Sequence, residues 1–367
     1  MNVVLRVDAS ERIGTGHVMR SLTLADALVA HGNSCQFISR AHPGNLIEFV
    51  RSRGYTVYAL SEPPAPSDVL QAVDEEQAPI HGHWLGATQA QDVEACAPIL
   101  AELQPDWLIE DHYALDARWE SALKPYYRRL MVIDDLADRT HECDLLLDQT
   151  YSRKAEDYRA WVPANCVLLC GSQYALLRPE FAALRPYSLQ RRAEPQLRRL
   201  LITMGGVDRD NATCQVLEGL RSCPLPADCR ITVVMGTTAP WLAEVELLAN
   251  DMPWLTQVEV GVRDMAQLMA DSDLAIGAAG ATSWERCCLG LPTIMVVLAA
   301  NQYQVARGLE QAGAALVIES TQSIARHLFS RLISLIESPM LLKAMIQSAC
   351  DIADGRGIDA VIQHLEY

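Results

Sequence analysis

The chain has 367 residues, half of them hydrophobic, with a mean hydropathy of +0.05. That length and composition predict two folded domains and argue against a disordered chain. Its 46 acidic and 30 basic residues give a net charge of −16, opposite in sign to a polyanion-binding protein, so no nucleic-acid partner is expected.

Strand-length apolar runs alternate with longer amphipathic segments from the start. The first half offers strands at Asn2–Val7, Ser34–Ile38, Thr56–Leu60, Trp107–Ile109, Leu130–Ile133 and Leu145–Leu147. Helical patterns fill the gaps, from Val18 to His31 and from Gln89 to Leu103. This is the βαβα order of a parallel sheet covered by helices. The stretch Ser61–Ser67 is Pro-rich and reads as a loop. Residues 182–199, rich in Arg, Gln and Pro with no clear apolar period, read as a linker. The pattern then restarts, with strands at Leu200–Met204, Ile231–Met235, Val258–Val260, Leu274–Ile276 and Thr293–Val297. The tail from Gln322 to Leu365 reads as two or three helices. The expected domains are therefore 1–181 and 200–367, with the last helix free to pack on the N-terminal domain.

No window holds about 18 uninterrupted apolar residues, and the N-terminus lacks a signal-peptide pattern, so a cytoplasmic protein without membrane insertion is expected. Eleven scattered cysteines without a C-x-x-C pair predict buried, reduced thiols.

In open parallel sheets ligands bind beyond the carboxyl ends of the strands, so the turns after strands carry the chemistry. The first is D-A-S-E-R-I-G-T-G-H from Asp8 to His17. Gly14 and Gly16 allow a tight loop, and His17 stands where a helix begins. There the helix dipole favours a neutral imidazole, the form a general base needs. A packing or capping histidine is the plain alternative. The second turn holds Gly205 and Gly206, after Leu200–Met204.

The third turn is G-A-A-G-A-T-S-W-E from Gly277 to Glu285. Its small residues let a diphosphate approach the backbone of Gly280 and Ala281, Thr282 and Ser283 add hydroxyls, and Glu285 can accept from a ribose diol. An ordinary acidic residue in a first helical turn is the competing account of Glu285. Asn301 lies at another strand end, where helix capping is the alternative. Asp208-Arg209-Asp210 spells D-x-D, but its position favours capping over metal binding. His81 and His83 lack a third ligand at motif spacing, so no metal is assigned. Asp111-His112-Tyr113 and Asp134-Asp135 follow strands and could line the same cleft.

With these residues in view, the chain resembles the UDP-sugar hydrolases of pseudaminic acid biosynthesis and the related spore-coat polysaccharide proteins. The resemblance rests on R-V-D-A-S-E-R-I-G-T-G-H-V-M-R at the start, E-D-H-Y at 110–113, I-D-D at 133–135 and C-D-L-L-L-D-Q-T at 143–150. It continues through C-G-S-Q-Y-A-L-L-R-P-E-F at 170–181, M-G-G-V-D at 204–208 and G-A-A-G-A-T-S-W-E-R-C-C-L-G-L-P-T at 277–293. The C-terminal part is also similar to the N-acetylglucosaminyltransferase that makes lipid II, in which a Glu likewise stands five residues before G-L-P. Thr150 departs from the expected Asn after D-Q, and Ala300 from the Asp often found before N-Q.

The resemblance implies a GT-B-like α/β fold, two Rossmann-like doubly wound domains facing a cleft. It implies His17 as the catalytic residue and Gly16, Tyr113, Gly205, Gly206, Gly280, Ala281, Thr282, Ser283, Glu285 and Asn301 as substrate contacts. The implied reaction is hydrolysis of UDP-2,4-diacetamido-2,4,6-trideoxy-β-L-altropyranose, by water attack at the anomeric carbon with inversion and without a cofactor. The competing function is an inverting UDP-sugar glycosyltransferase with an unidentified acceptor. A non-catalytic UDP-sugar sensor would keep Gly280–Glu285 without needing His17.

Overall fold

The computed structural model describes residues 1–61, 79–237 and 239–366. Beyond Ser61, the Pro-rich stretch lies outside the described residues. The chain divides into two compact units, 1–176 with 358–367, and 177–357.

The first unit is a seven-stranded parallel sheet. Its strands are β1 (Asn2–Val7), β2 (Ser34–Arg40), β3 (Thr56–Leu60), β4 (Trp107–Asp111), β5 (Arg129–Ile133), β6 (Leu145–Asp148) and β7 (Val167–Cys170), in the order β3-β2-β1-β4-β5-β6-β7. Val3, Leu5 and Val7 pack on one face with Leu22, Leu24 and Leu28 of the helix Gly16–Ala30. Val4 packs on the other face with Leu100 and Leu108. This period-2 split of one strand between two cores is what a sheet covered on both sides requires. The helix Gly357–Glu366 also belongs here: Val361, Ile362 and Leu365 join the first core, and the Trp107 indole donates to the Leu365 carbonyl at 2.9 Å.

The second unit repeats the plan with six parallel strands. These are β8 (Arg199–Thr203), β9 (Arg230–Met235), β10 (Leu255–Val260), β11 (Leu274–Ala278), β12 (Thr293–Val296) and β13 (Ala315–Ile318), in the order β10-β9-β8-β11-β12-β13. Both sheets therefore reverse direction of growth once, between β1 and β4 and between β8 and β11. Each reversal opens a crevice at the carboxyl ends of two adjacent strands.

The segment 182–199 is not an extended linker. The helix Pro179–Arg191 takes up most of it. Only Phe181 and Ser188 are buried on that helix, so no apolar stripe announces it. Arginines near its end secure it instead: Arg192 donates to the Met269 and Ser272 carbonyls at 2.8 and 2.6 Å, and Arg191 pairs with Asp273 at 2.5 Å. The tail forms three helices, Ile324–Glu337, Pro339–Ile352 and Gly357–Glu366. All eleven cysteines are free thiols. Among the described residues no helix is long and apolar enough to cross a membrane.

Candidate functional site

The β1–β4 crevice holds a histidine whose geometry is fixed from two directions. Parallel pairing sets Val7 beside Asp111. Beyond β1, Gly14 adopts φ +79° and its amide bonds the Ser10 carbonyl at 2.8 Å, turning the chain into the helix that begins at Gly16. His17 thus falls in the first helical turn. Its Nδ1 lies 2.6 Å from Asp111 Oδ1. With Nδ1–H donating to that carboxylate, Nε2 keeps the lone pair a base needs.

Asp111 is itself held on every side. Arg20 donates to it through Nε at 2.7 Å and Nη2 at 2.6 Å, and the Ser21 hydroxyl donates at 3.2 Å. Burial pushes the Asp111 carboxyl up, but the Arg20 guanidinium, with the hydrogen bonds from Arg20 and His17, outweighs it and holds it well below the usual carboxylate range. The remaining Arg20 arm reaches Asp135 at 2.5 Å, and the Tyr113 hydroxyl donates to the same carboxylate oxygen at 2.7 Å. Burial and then Asp135 push the Tyr113 phenol well above its ordinary range, so it stays neutral.

Tyr113 also meets His17 edge-on, ring centres 4.5 Å apart. Half-buried Trp84 stacks on Tyr113 at 5.9 Å, and His81 lies 4.3 Å from Trp84. The expected catalytic residue is therefore part of a constellation with Asp111, Arg20, Asp135 and Tyr113, bordered by aromatic rings. Gly16 opens the helix beneath it.

In the second unit, pairing sets Gly277 of β11 beside Thr203 of β8, which brings the Gly205-Gly206 turn and the Gly277–Ser283 turn to one crevice. Gly205 adopts φ +88°. A Cβ on Gly236 would stand 1.9 Å from the Gly206 carbonyl oxygen, so the end of β9 must be glycine to let this turn pass. Asp208 accepts from the Ala212 and Thr213 amides at 2.8 and 2.9 Å, the capping role its D-x-D context favours.

A short helix, Thr282–Cys288, follows the second turn. Ser283 is buried, and its hydroxyl accepts from the Gly280 amide and from Arg286 Nη2, both at 3.2 Å. It shapes the turn from within. Gly280 and Thr282 are half-buried, and Ala281 is exposed. Glu285 keeps 19% of its side chain exposed, 3.8 Å from Arg178. Burial pushes its carboxyl up to about 7, against the opposing pull of Arg178 and Arg286. Asn301 is exposed in the turn Ala300–Gln302, and no side-chain cap starts the following helix.

The sequence did not single out Arg20, Trp84 or Arg286, whereas it places Asp135 at a strand end facing the cleft. Arg20 had a readable signal, since H-V-M-R puts it three residues from His17 on one helical face. A further grouping lies on the other face of the first sheet, away from His17. Glu110, Glu120 and His141, all buried, bring ligand-type atoms within 4.8 Å of one another. His141 Nδ1 contacts Glu120 at 2.6 Å, while neither Glu110 oxygen has a hydrogen-bond partner.

Residues 200–355 match the Glycosyltransferase family 28 C-terminal domain. A protein named UDP-2,4-diacetamido-2,4,6-trideoxy-beta-L-altropyranose hydrolase, from Campylobacter jejuni, is 25% identical over 313 residues, covering 85% of this chain and 97% of that one. An uncharacterized protein of Methanocaldococcus jannaschii is 24% identical over 308 residues, 83% of this chain but 57% of the relative, so the chain matches little more than half of that longer protein. Among solved structures, MurG of Acinetobacter baumannii aligns over 100% of this chain and 99% of its own, with a TM-score of 0.70 at 15% identity. The fold is that of the GT-B glycosyltransferases.

Proposed function

We propose that this protein hydrolyses a UDP-sugar, releasing UDP and the free sugar by inverting attack of water at the anomeric carbon. The observation that carries the reading is the 2.6 Å tie between His17 Nδ1 and Asp111, which leaves Nε2 as an oriented base at the strand crossover of the first unit. The Campylobacter relative points to the same reaction class.

The steps follow from the groups present. Nε2 of His17 takes a proton from water as its oxygen bonds to the anomeric carbon, and Asp111 stabilises the imidazolium that forms. The bond from that carbon to the diphosphate oxygen breaks, and its electron pair leaves with UDP. In this reading the turn from Gly280 through Ala281 and Thr282 faces the diphosphate, with Ser283 bracing it, and Glu285 accepts from the ribose hydroxyls. Gly205, Gly206 and Asn301 complete the nucleotide-sugar contacts, and Gly16 and Tyr113 border the base. The expected sugar is 2,4-diacetamido-2,4,6-trideoxy-β-L-altropyranose.

The test is UDP release without any acceptor from that sugar nucleotide, with UDP-N-acetylglucosamine run beside it. Fast release from the first alone supports the reading. Tight UDP binding without release from either would support the second reading, an inverting transferase with an unidentified acceptor, which the family 28 domain match favours.

A further inference from the structure

Among the described residues six arginines are buried, and five of them are answered. Arg6, Arg20, Arg40 and Arg139 each contact a carboxylate within 2.8 Å. Arg192 spreads its donors over the carbonyls of Ser188, Met269, Ala270 and Ser272. Arg286 differs. It is 1% exposed, and its hydrogen bonds are one to the Ala278 carbonyl at 2.6 Å and one to the Ser283 hydroxyl at 3.2 Å, both from Nη2. Nε and Nη1 have no hydrogen-bond partner, and no carboxylate pairs with it within 4 Å among the described residues.

Taking a cation out of water without a counter-charge is costly, and such groups normally appear with a partner. The position of this one is built for. Gly277 has no side chain where Nη1 lies: a Cβ there would come within 2.3 Å of it. Both groups that Arg286 holds, the Ala278 carbonyl and the Ser283 hydroxyl, belong to the turn after β11. The guanidinium therefore sits against the inner side of that turn. Burial lowers its pKa to about 10, which leaves it charged at neutral pH.

We infer that Arg286 is the buried counter-charge for an anionic group bound on the outer side of the Gly277–Ser283 turn, and that the anion is the diphosphate of the nucleotide. The inference deepens the reading of this turn given above. Arg286 does not touch the ligand. It acts as a positioning residue, through the turn it braces and through its field, which a low-dielectric surrounding screens little. The free protein bears the cost of an unpaired charge, and the nucleotide's diphosphate offsets it.

The experiment separates charge from scaffolding. Arg286→Gln keeps a donor for the Ala278 carbonyl and removes the charge, whereas Arg286→Lys keeps the charge. Binding of UDP and of uridine is measured by calorimetry for the parent and both variants, and the melting temperature of each free protein is recorded. The expected result is about a tenfold or greater loss of UDP affinity in R286Q. Uridine affinity should stay within about twofold and the melting temperature should not fall, while R286K keeps most of the parent's preference for UDP over uridine. Equal losses for UDP and uridine would overturn the inference, as would full UDP affinity in R286Q. A parent protein that prefers UDP no more than uridine would overturn both this inference and the diphosphate assignment. The readout is binding, so UDP held tightly but never released from a sugar would sink the hydrolase reading and leave the role of Arg286 standing.

Discussion

His17 and Arg20, one helical turn apart, converge on a single carboxylate oxygen: His17 Nδ1 and Arg20 Nη2 each stand 2.6 Å from Asp111 Oδ1. Asp111 therefore holds both His17 and Arg20, and one substitution tests what that carboxylate does for the base. Asp111→Asn preserves the shape but presents an amide where His17 needs an acceptor, so the ring is free to turn or to take the other tautomer. Turnover should fall by about 10²–10⁴ with UDP affinity nearly unchanged. Wild-type kcat in D111N would remove Asp111 from any account of the base.

Replacing the base itself gives a cleaner loss. His17→Gln should lower kcat by about 10²–10⁴ while the affinity for UDP stays within about twofold. The measurement is acceptor-free UDP release under saturating substrate, paired with calorimetric UDP binding. A parallel loss of UDP affinity would mean that His17 holds the nucleotide and does not activate water.

These two predictions also mark how far the sequence could be read. His17 was legible because a strand, two glycines and a histidine follow one another within 16 residues. Its partner Asp111 is 94 positions away and arrives only through the register that sets Val7 beside Asp111, which no local pattern records. The strands β7 and β13 are absent from the sequence reading: V-L-L-C and A-L-V-I are four-residue apolar runs without alternation, at the lower limit of any periodicity signal, a limit that β6 and β12 share. The segment 182–199 reads as a linker although the helix Pro179–Arg191 runs through its first ten residues, because that neighbourhood is secured by guanidinium-to-carbonyl and guanidinium-to-carboxylate contacts, and hydrophobic periodicity is blind to those. Nothing in the local sequence marks Arg286, and only its burial makes it unusual.

Glu110 should make the protein's stability depend on pH in an unusual direction. Burial, and then the charge of Glu120, push its carboxyl well above the usual range, and neither of its oxygens has a hydrogen-bond partner. The folded chain therefore keeps a proton that the unfolded chain releases above about 4.5. Its contribution is fully present below that pH and is lost as pH rises toward the folded value, with a slope of up to about 1.4 kcal/mol per pH unit. Glu110→Gln removes the titrating group and keeps the shape. Urea denaturation between pH 5 and 8 should give a flatter stability profile for E110Q than for the parent, with equal or greater stability at pH 8. An unchanged slope would show that Glu110 does not carry the linkage.

Glu285 offers a test of the ribose assignment that is independent of turnover. A carboxylate accepts from a diol through two charged oxygens, whereas the protonated acid keeps one weaker acceptor arrangement. Because burial lifts the Glu285 carboxyl to about 7, the ionised fraction rises from about a tenth at pH 6 to about nine-tenths at pH 8. The ligand should be UDP-N-acetylglucosamine in the His17→Gln background, since its diphosphate is esterified at both ends and does not itself titrate in this range. Affinity should increase severalfold, and at most about tenfold, between pH 6 and pH 8. Glu285→Gln should bind more weakly at pH 8 and show almost no slope. A slope that survives in E285Q would place the titrating group elsewhere and withdraw the ribose contact from Glu285.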